Sequence, residues 1–306
     1  MSVVIGDPVT DRALTGKFEA ALMAYVARWE LFAMRVGSTG ASEKFGWLGP
    51  PDVMREKTDE NKRRGLPANT QTVTNLDWEA AIAVDPNTLK DDRWDLIDPQ
   101  IRNLAIRAGD WPFEQLVALL NAGDSTNCYD NQYFYDDDHK DLEAPYQTNQ
   151  DNDLTYNCTD HTAPTVAELM AAFRQARKTM YGFKDPWGNP FHRGEPKLVT
   201  VCAAHLGNTF EEVFNATTIS NTTNVLAGAS ELIVTPLVDS DVEFHVLRSD
   251  TVFKGLIYQD REKPRFWALG LDSEHCKVDN ECLFATESRG AFAYGDWRNA
   301  VLTTLN

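Results

Sequence analysis

The stretch Phe45-Gly-Trp-Leu-Gly-Pro-Pro51, a charged run over residues 55–64, and an alternating run through Val73, Leu76, Trp78, Ala80, Ile82 and Val84 together decide how this sequence is read. Apolar residues at nearly every second position are the pattern of a strand with one buried face. The order fits two extended arms with a polar crossing between them, an extended loop over about residues 43–85. Trp47, Arg55, Lys57, Arg63, Arg64 and Trp78 are the candidate inter-subunit contacts on it. The charges also read plainly as a solvated hairpin tip. For the tryptophans, on these arms and at Trp94, interface anchoring and packing within the subunit weigh about evenly, because large amphipathic rings serve both.

Upstream, Phe18, Leu22, Tyr25, Val26, Trp29 and Phe32 recur at spacings of three and four, predicting an amphipathic helix over 15–36 that ends at a Gly/Ser break over 37–42. Downstream, Asp98-Pro99 reads as a helix start. Ile101, Leu104, Ala105 and Ala108 continue one face, Leu116, Leu119 and Leu120 follow, and Gly123 stops the helix. Pro112 predicts a kink or a split. Residues 123–164 then shift to Asp, Asn and Tyr, with ten acidic residues and the single lysine Lys140, predicting an exposed excursion. A helix over 165–180, a strand over 198–202 and a helix over 203–214 follow. Strands are predicted over 232–237, 242–247, 251–259, 265–271, 283–286 and 290–294. The class is α+β, without a repeat of fixed period.

The 306 residues are 42% hydrophobic and 25% charged, enough for a full core, and the formal net charge of −17 argues against gripping nucleic acid through its phosphates. The N-terminal apolar run Val3-Val4-Ile5 is too short for a signal peptide. The stretch 20–36 is broken by Arg28, Glu30 and Arg35, so no membrane span is expected. Five cysteines without CxxC suit a reducing cytoplasm better than a disulfide scaffold, and the sequons at Asn157, Asn215 and Asn221 then read as chance matches. Cys128, His139, Cys158 and His161 offer a ligand set for zinc, but only Cys158 and His161 are close in sequence. The acidic run Tyr135-Asp-Asp-Asp-His139 lacks the ligand pattern of a calcium loop. Cys276 and Cys282 flank an acidic turn beside His275, with nothing nearby to make a metal or thiol site. No GxSxG elbow, phosphate loop or dinucleotide fingerprint is present, so neither an enzyme activity nor a cofactor is expected.

In order along the chain stand Phe45-Gly-Trp-Leu-Gly-Pro-Pro-Asp-Val-Met-Arg-Glu56, Asn75-Leu-Asp-Trp-Glu79, Asp91-Asp92 and the stretch 113–123. Tyr129-Asp-Asn-Gln-Tyr-Phe-Tyr-Asp-Asp-Asp-His139, Lys184-Asp-Pro-Trp-Gly188 and Pro196-Lys-Leu-Val199 follow. Leu256-Ile-Tyr-Gln-Asp-Arg261 with Pro264, and Arg289-Gly-Ala-Phe-Ala-Tyr-Gly295, complete the series. These collinear landmarks resemble the Mu-like phage major head subunit family. The resemblance implies the Hong Kong 97-type capsid fold, α+β, with an N-terminal arm (1–39) and an extended loop (43–85). It further implies a peripheral domain with a spine helix (86–124 and 248–306) and an axial domain (125–247) carrying an acidic insertion at about 125–163.

The function so implied is a major capsid protein assembling itself into hexamers and pentamers of an icosahedral head. The shell encloses double-stranded DNA without sequence-specific binding and is assembled in the host bacterial cytoplasm as part of the virion. Scaffold, protease and portal proteins, with a possible decoration protein, are the implied partners. Lys57 and Lys62 lie on the loop, but no crosslinking is expected. The competing readings are another phage head or tail structural protein and a metal-dependent hydrolase using the Cys/His set.

Overall fold

Two Asp-Pro dipeptides show how local chemistry and tertiary context divide the work in this computed structural model, which describes residues 8–48, 68–91, 94–140, 146, 148–219 and 221–306. The chain begins with α1 (Pro8–Ala24), a 3-10 turn (Arg28–Leu31) and strands β1 (Ala33–Gly37), β2 (Ser42–Leu48), β3 (Ala68–Thr74) and β4 (Leu76–Val84). Asp85 caps α2 (Pro86–Lys90), its carboxylate accepting from Asn87 N at 2.7 Å with Pro86 in the first turn. Asp98-Pro99, expected to open the next helix, lies inside α3 (Trp94–Asn121). There Asp98 bonds Lys17 of α1 and Arg102 one turn on, and Lys17 foremost holds its carboxyl below the usual range. Nor does Pro112 split α3, which runs unbroken for 28 residues, about 42 Å, through both prolines. Each removes a single backbone hydrogen bond.

The helix expected over 15–36 is three pieces. Phe18 is buried with Leu14 against Ile97, Ile101 and Leu104 of α3, while Trp29 and Phe32 are buried in a different core. Met23 and Val26 between them are 83% and 78% exposed. A single straight helix cannot serve both cores, so the chain leaves the helix after Ala24 and residues 33–37 become β1.

β5 (Asp153–Tyr156), α4 (Val166–Gly182), β6 (Leu198–Cys202), α5 (Ala204–Asn215), the short pair β7 (Thr218–Ile219) and β8 (Thr222–Thr223), β9 (Ser230–Val234) and β10 (Glu243–Arg248) follow. The last elements are β11 (Leu256–Leu269), α6 (Glu274–Asp279), β12 (Cys282–Tyr294), a 3-10 turn (Trp297–Asn299) and β13 (Ala300–Leu305). One sheet has the order β1-β11-β12-β4 and the other β5-β13-β10-β6-β9. In the second, β10 is antiparallel to β13 and β6, whereas the outer pairs β13–β5 and β6–β9 are parallel.

β11 and β12, each expected as two strands, are continuous partners of one long ribbon. Pro264 falls where the register shifts between Glu262 and Arg265, so the missing donor is absorbed by an irregularity. Gly290 is needed on β12 because a Cβ there would stand 2.7 Å from Gln259 O. β13, whose residues fall in the range 248–306 expected for the peripheral domain, joins β5 and β10 in the five-stranded sheet; neither β13 nor β5 is evident as a strand in the sequence.

α3 serves two cores. Its N-terminal half packs with α1 and the far end of the β11–β12 ribbon through Phe284. Leu116, Val117 and Leu120 of its C-terminal half enter the large core shared by α4, α5 and the five-stranded sheet. α4 enters that core through Leu169, Ala172, Phe173, Ala176 and Met180, and begins with the reciprocal Thr165–Glu168 capping box. At the changeover lies Gly109, whose backbone the Tyr25 ring approaches so closely that a Cβ would be 2.8 Å from two ring carbons. Gly109→Ala is therefore expected to lower stability by about 1–2 kcal/mol, overpacking outweighing the better helix propensity of alanine. Chemical unfolding measures this, and an unchanged midpoint would show that Tyr25 swings away freely.

Candidate functional site

The extended loop begins as the β2–β3 hairpin, an antiparallel ladder from Ser42 opposite Thr74 to Leu48 opposite Ala68. A two-stranded ribbon is marginal by itself, and its root supplies what the ladder lacks. Asn75, 6% exposed, donates from Nδ2 to Ser38 Oγ and Gly40 O, both at 2.9 Å. Gln259 of β11, fully buried, donates from Nε2 to Asn75 Oδ1 at 2.6 Å and to Val73 O at 3.4 Å. Glu43 Oε1 accepts from Thr39 N (2.7 Å), Gly40 N (3.0 Å) and Ser38 Oγ (3.1 Å), and these bonds, the two backbone ones first, hold its carboxyl below the usual range. Arg261 Nη1 donates to Ser38 O at 3.0 Å. Beneath this polar knot, Val73 packs on Ile257, Ala291 and Ala293, with Phe45 alongside.

β4 is not part of the hairpin. It is the edge strand of the four-stranded sheet, paired with β12 from Cys282–Val84 to Gly290–Leu76. The loop expected over 43–85 therefore ends as a protrusion at Thr74. Trp78, a predicted contact residue, is half-buried on β4: its indole donates to Gly290 O at 3.2 Å and its ring meets Trp111 of α3 at 5.1 Å. Phe292, Tyr258 and Trp29 extend this row of rings, which ties α3 to the sheet. Packing within the subunit thus accounts for the half of Trp78 that is covered. Its other side borders a hollow of ≈ 420 Å³ lined by Asp77, Glu79, Glu262, Arg265, Glu287 and Arg289. Asp77 pairs with Arg289 and Glu287 with Arg265, each at 3.1 Å. Trp47 lies on β2 opposite Asn69. Arg55, Lys57, Arg63 and Arg64 lie outside the described residues.

The four proposed zinc ligands do not converge. Cys128 is buried against Gly295 O, and His139 Nδ1 pairs with Asp130 Oδ2 at 2.7 Å while its ring stacks on Trp297 at 4.1 Å. Cys158 lies two residues past β5, its backbone N–H bonded to Asn306 O, and His161 is exposed. Among the described residues the only cluster of three potential ligands is Asp136, Asp137 and Asp138. The hydrolase reading loses the site on which it was built. The acidic stretch is also no exposed excursion: Phe134, Tyr135, His139 and Asn152 are buried. Asn152 staples it to the chain end, donating to Phe134 O and Ala300 O while its Oδ1 accepts from Asp136 N. No described helix is long and apolar enough to cross a membrane.

Residues 9–166, just over half of the chain, match the Mu-like prophage major head subunit gpT family. The chain belongs to this family. The major capsid protein of Escherichia phage Mu is 22% identical over 285 residues, covering 93% of this head subunit and 68% of that protein. The FluMu major head subunit of Haemophilus influenzae is 26% identical over 166 residues, 54% of each chain. Among solved structures, the procapsid of bacteriophage JBD30 superposes with a TM-score of 0.57 at 20% identity, over 97% of this chain and 75% of that one. A virus-like particle from Pyrococcus furiosus gives 0.55 at 10% identity, over 95% and 98%. The fold of the head subunit is the Hong Kong 97-type capsid fold.

The sequence pattern points to extended strands here but not to the residues that root the hairpin. Ser38, Asn75 and Gln259 are ordinary polar residues in sequence, and the one available signal was an asparagine between two strand-like runs. Asn75→Ala is expected to accelerate amide exchange in β2 and β3 at least tenfold while β6 and β10 keep their protection, the loss of a buried partner costing about 1–3 kcal/mol. Unchanged exchange in the hairpin would sink that assignment.

Asp153 on β5 has its carboxyl raised to about 6, by burial first and then by Asp151, Asp124, Glu243 and Asp136. This value lies above that of an unfolded chain, about 3.9, so the fold favours the protonated form. The favourable contribution is complete below about pH 4 and is lost as the pH rises through 6. Asp153→Asn should therefore stabilise the subunit at pH 7.5 by about 1 kcal/mol, a figure reduced for partial exposure. The gain should vanish at pH 4, and urea titrations at the two pH values decide it.

Proposed function

We propose that this head subunit assembles through hexamers and pentamers into an icosahedral shell around double-stranded DNA, with the β2–β3 hairpin and residues 49–67 as the arm that reaches a neighbouring subunit. The observation that carries the reading is the rooted hairpin: seven residue pairs of ladder leave the body from a buried polar knot. A stiff arm of this kind buries area beyond the compact body, and many such contacts close into rings and sum to a strong shell while each stays weak. In this reading the four-stranded sheet with α3 is the peripheral domain and α3 its spine. The five-stranded sheet with α4 and α5 is the axial domain, which β13 completes. Trp47, Arg55, Lys57, Arg63, Arg64 and the open side of Trp78 are the contact residues. The net charge of −17 suits a wall that encloses DNA without adhering to it.

Assembly takes place in the host bacterial cytoplasm and the product is part of the virion. Scaffold, protease and portal proteins act with it, and a decoration protein fits the same scheme, as the JBD30 capsid carries minor capsid protein trimers. The test is replacement of residues 49–67 by a short Gly-Ser turn, which spares β4 and so leaves the sheet whole. The variant should keep the circular dichroism and melting temperature of the parent yet form no closed shells in negative-stain electron microscopy, where the parent, expressed with its neighbouring head genes, does. Normal shells from the variant would overturn the role of the arm. A parent that stays monomeric even when expressed with its neighbouring head genes would overturn the shell.

A further inference from the structure

Of the five cysteines, Cys276 and Cys282 are joined as a disulfide, whereas Cys128, Cys158 and Cys202 are free. This corrects the expectation of a chain without disulfides. Local geometry brings the pair together. Ser273 Oγ accepts from Cys276 N at 3.1 Å to start α6, and Asn280, at φ 53°, reverses the chain after it. Cys282 is the first residue of β12, held opposite Val84 by the sheet. The fold therefore places the two thiols side by side with or without the bond.

Both sulfur-bearing residues are buried, in the core where Leu14 and Phe18 of α1 meet Ile97 and Ile101 of α3 and Phe284 of β12. Cys276 is carried by α6, six residues long, with Val278 74% exposed. A short helix with one exposed apolar residue opens locally at low cost, which gives small thiols and disulfides a way in. Once formed, the bond closes the turn between the two longest strands and pins α6 over the end of the ribbon on which α1 docks.

We propose that Cys276 and Cys282 form a redox lock, a dithiol while the subunit is made and assembled, and a disulfide once the particle meets an oxidising medium. The proposal rests on the reading of this chain as a head subunit assembled inside a cell, where thiol pools keep accessible cysteines reduced. Outside, one thiolate attacks a small disulfide such as oxidised glutathione, forming a mixed disulfide and releasing one glutathione thiolate. The second protein thiolate then attacks the mixed disulfide at the protein sulfur and releases the other glutathione. Two electrons pass from the protein to the small disulfide, and the two thiol protons end on the two released thiols. The closed turn restricts the unfolded chain more than the folded one, so oxidation adds stability without moving the fold.

Maleimide tagging with mass spectrometry tests this. Cells lysed in denaturant containing N-ethylmaleimide should yield subunit with five adducts, and purified subunit held with oxidised glutathione and then tagged in denaturant should yield three, returning to five after dithiothreitol. Reduction should lower the melting temperature of the three-adduct form by about 5 °C. The Cys276→Ser/Cys282→Ser double variant should melt at one temperature with or without reductant; if it fails to fold, the reductant titration of the parent alone carries the test. Five adducts on the glutathione-treated protein would overturn the lock, as would three in quenched cells or a melting temperature indifferent to reductant. Absence of shells leaves these adduct counts untouched, so failure of the head-subunit reading is told apart from failure of the lock.

Discussion

The β2–β3 hairpin of this subunit depends on a buried amide pair, Asn75 on Gln259, at its root. A two-stranded ribbon loses more conformational entropy than its own ladder recovers, so its direction has to be imposed from its root. Asn75 does this from between two strands: its backbone N–H bonds Ala41 O, and its side chain bonds the turn before β2 and the buried amide of β11. Because these groups are out of water, any swing of the hairpin leaves donors and acceptors unpaired, at a cost of about 1–3 kcal/mol each. The knot converts a flexible excursion into a stiff one.

The same logic of shared anchors runs through the body. α3 connects two cores that do not otherwise merge, and the ring row Trp78–Trp111–Phe292–Tyr258–Trp29 fastens its middle to the sheet. The C-terminal turn does the equivalent for the acidic stretch. Trp297 stacks on His139, and Arg298 lies over the Trp297 ring and donates to Tyr129 OH at 3.0 Å. A segment whose composition looks solvated is thereby built into the junction between the sheets. Phe134, Tyr135, His139 and Asn152 go inside, and the Asp130 carboxylate goes in with them because His139 Nδ1 satisfies it.

Where local chemistry is self-sufficient, sequence and structure agree. The helix that follows Thr165, the all-buried strand at Leu198–Cys202 and the strongly amphipathic helix after it lie within a residue or two of their expected positions. Where a residue's role is set by what lies across a sheet, reading along the chain falls short. Trp29 and Phe32 keep helical spacing but belong to another core, Pro264 breaks a pattern without breaking the strand, and β13 finds its partners in β5 and β10.

The sequence by itself determined the α+β class and the family, because these rest on periodicity and on ordered landmarks, both properties of the chain read in one dimension. Tertiary structure alone decided that the β2–β3 hairpin ends at Thr74, that Ser38, Asn75 and Gln259 root it, that the Cys/His set does not converge and that Cys276 meets Cys282. The physical reason is the same in each case. A hydrogen bond, a ligand set or a disulfide is a relation between atoms a few ångströms apart, and that distance is fixed by the packing of sheets and helices, not by the spacing of residues along the chain.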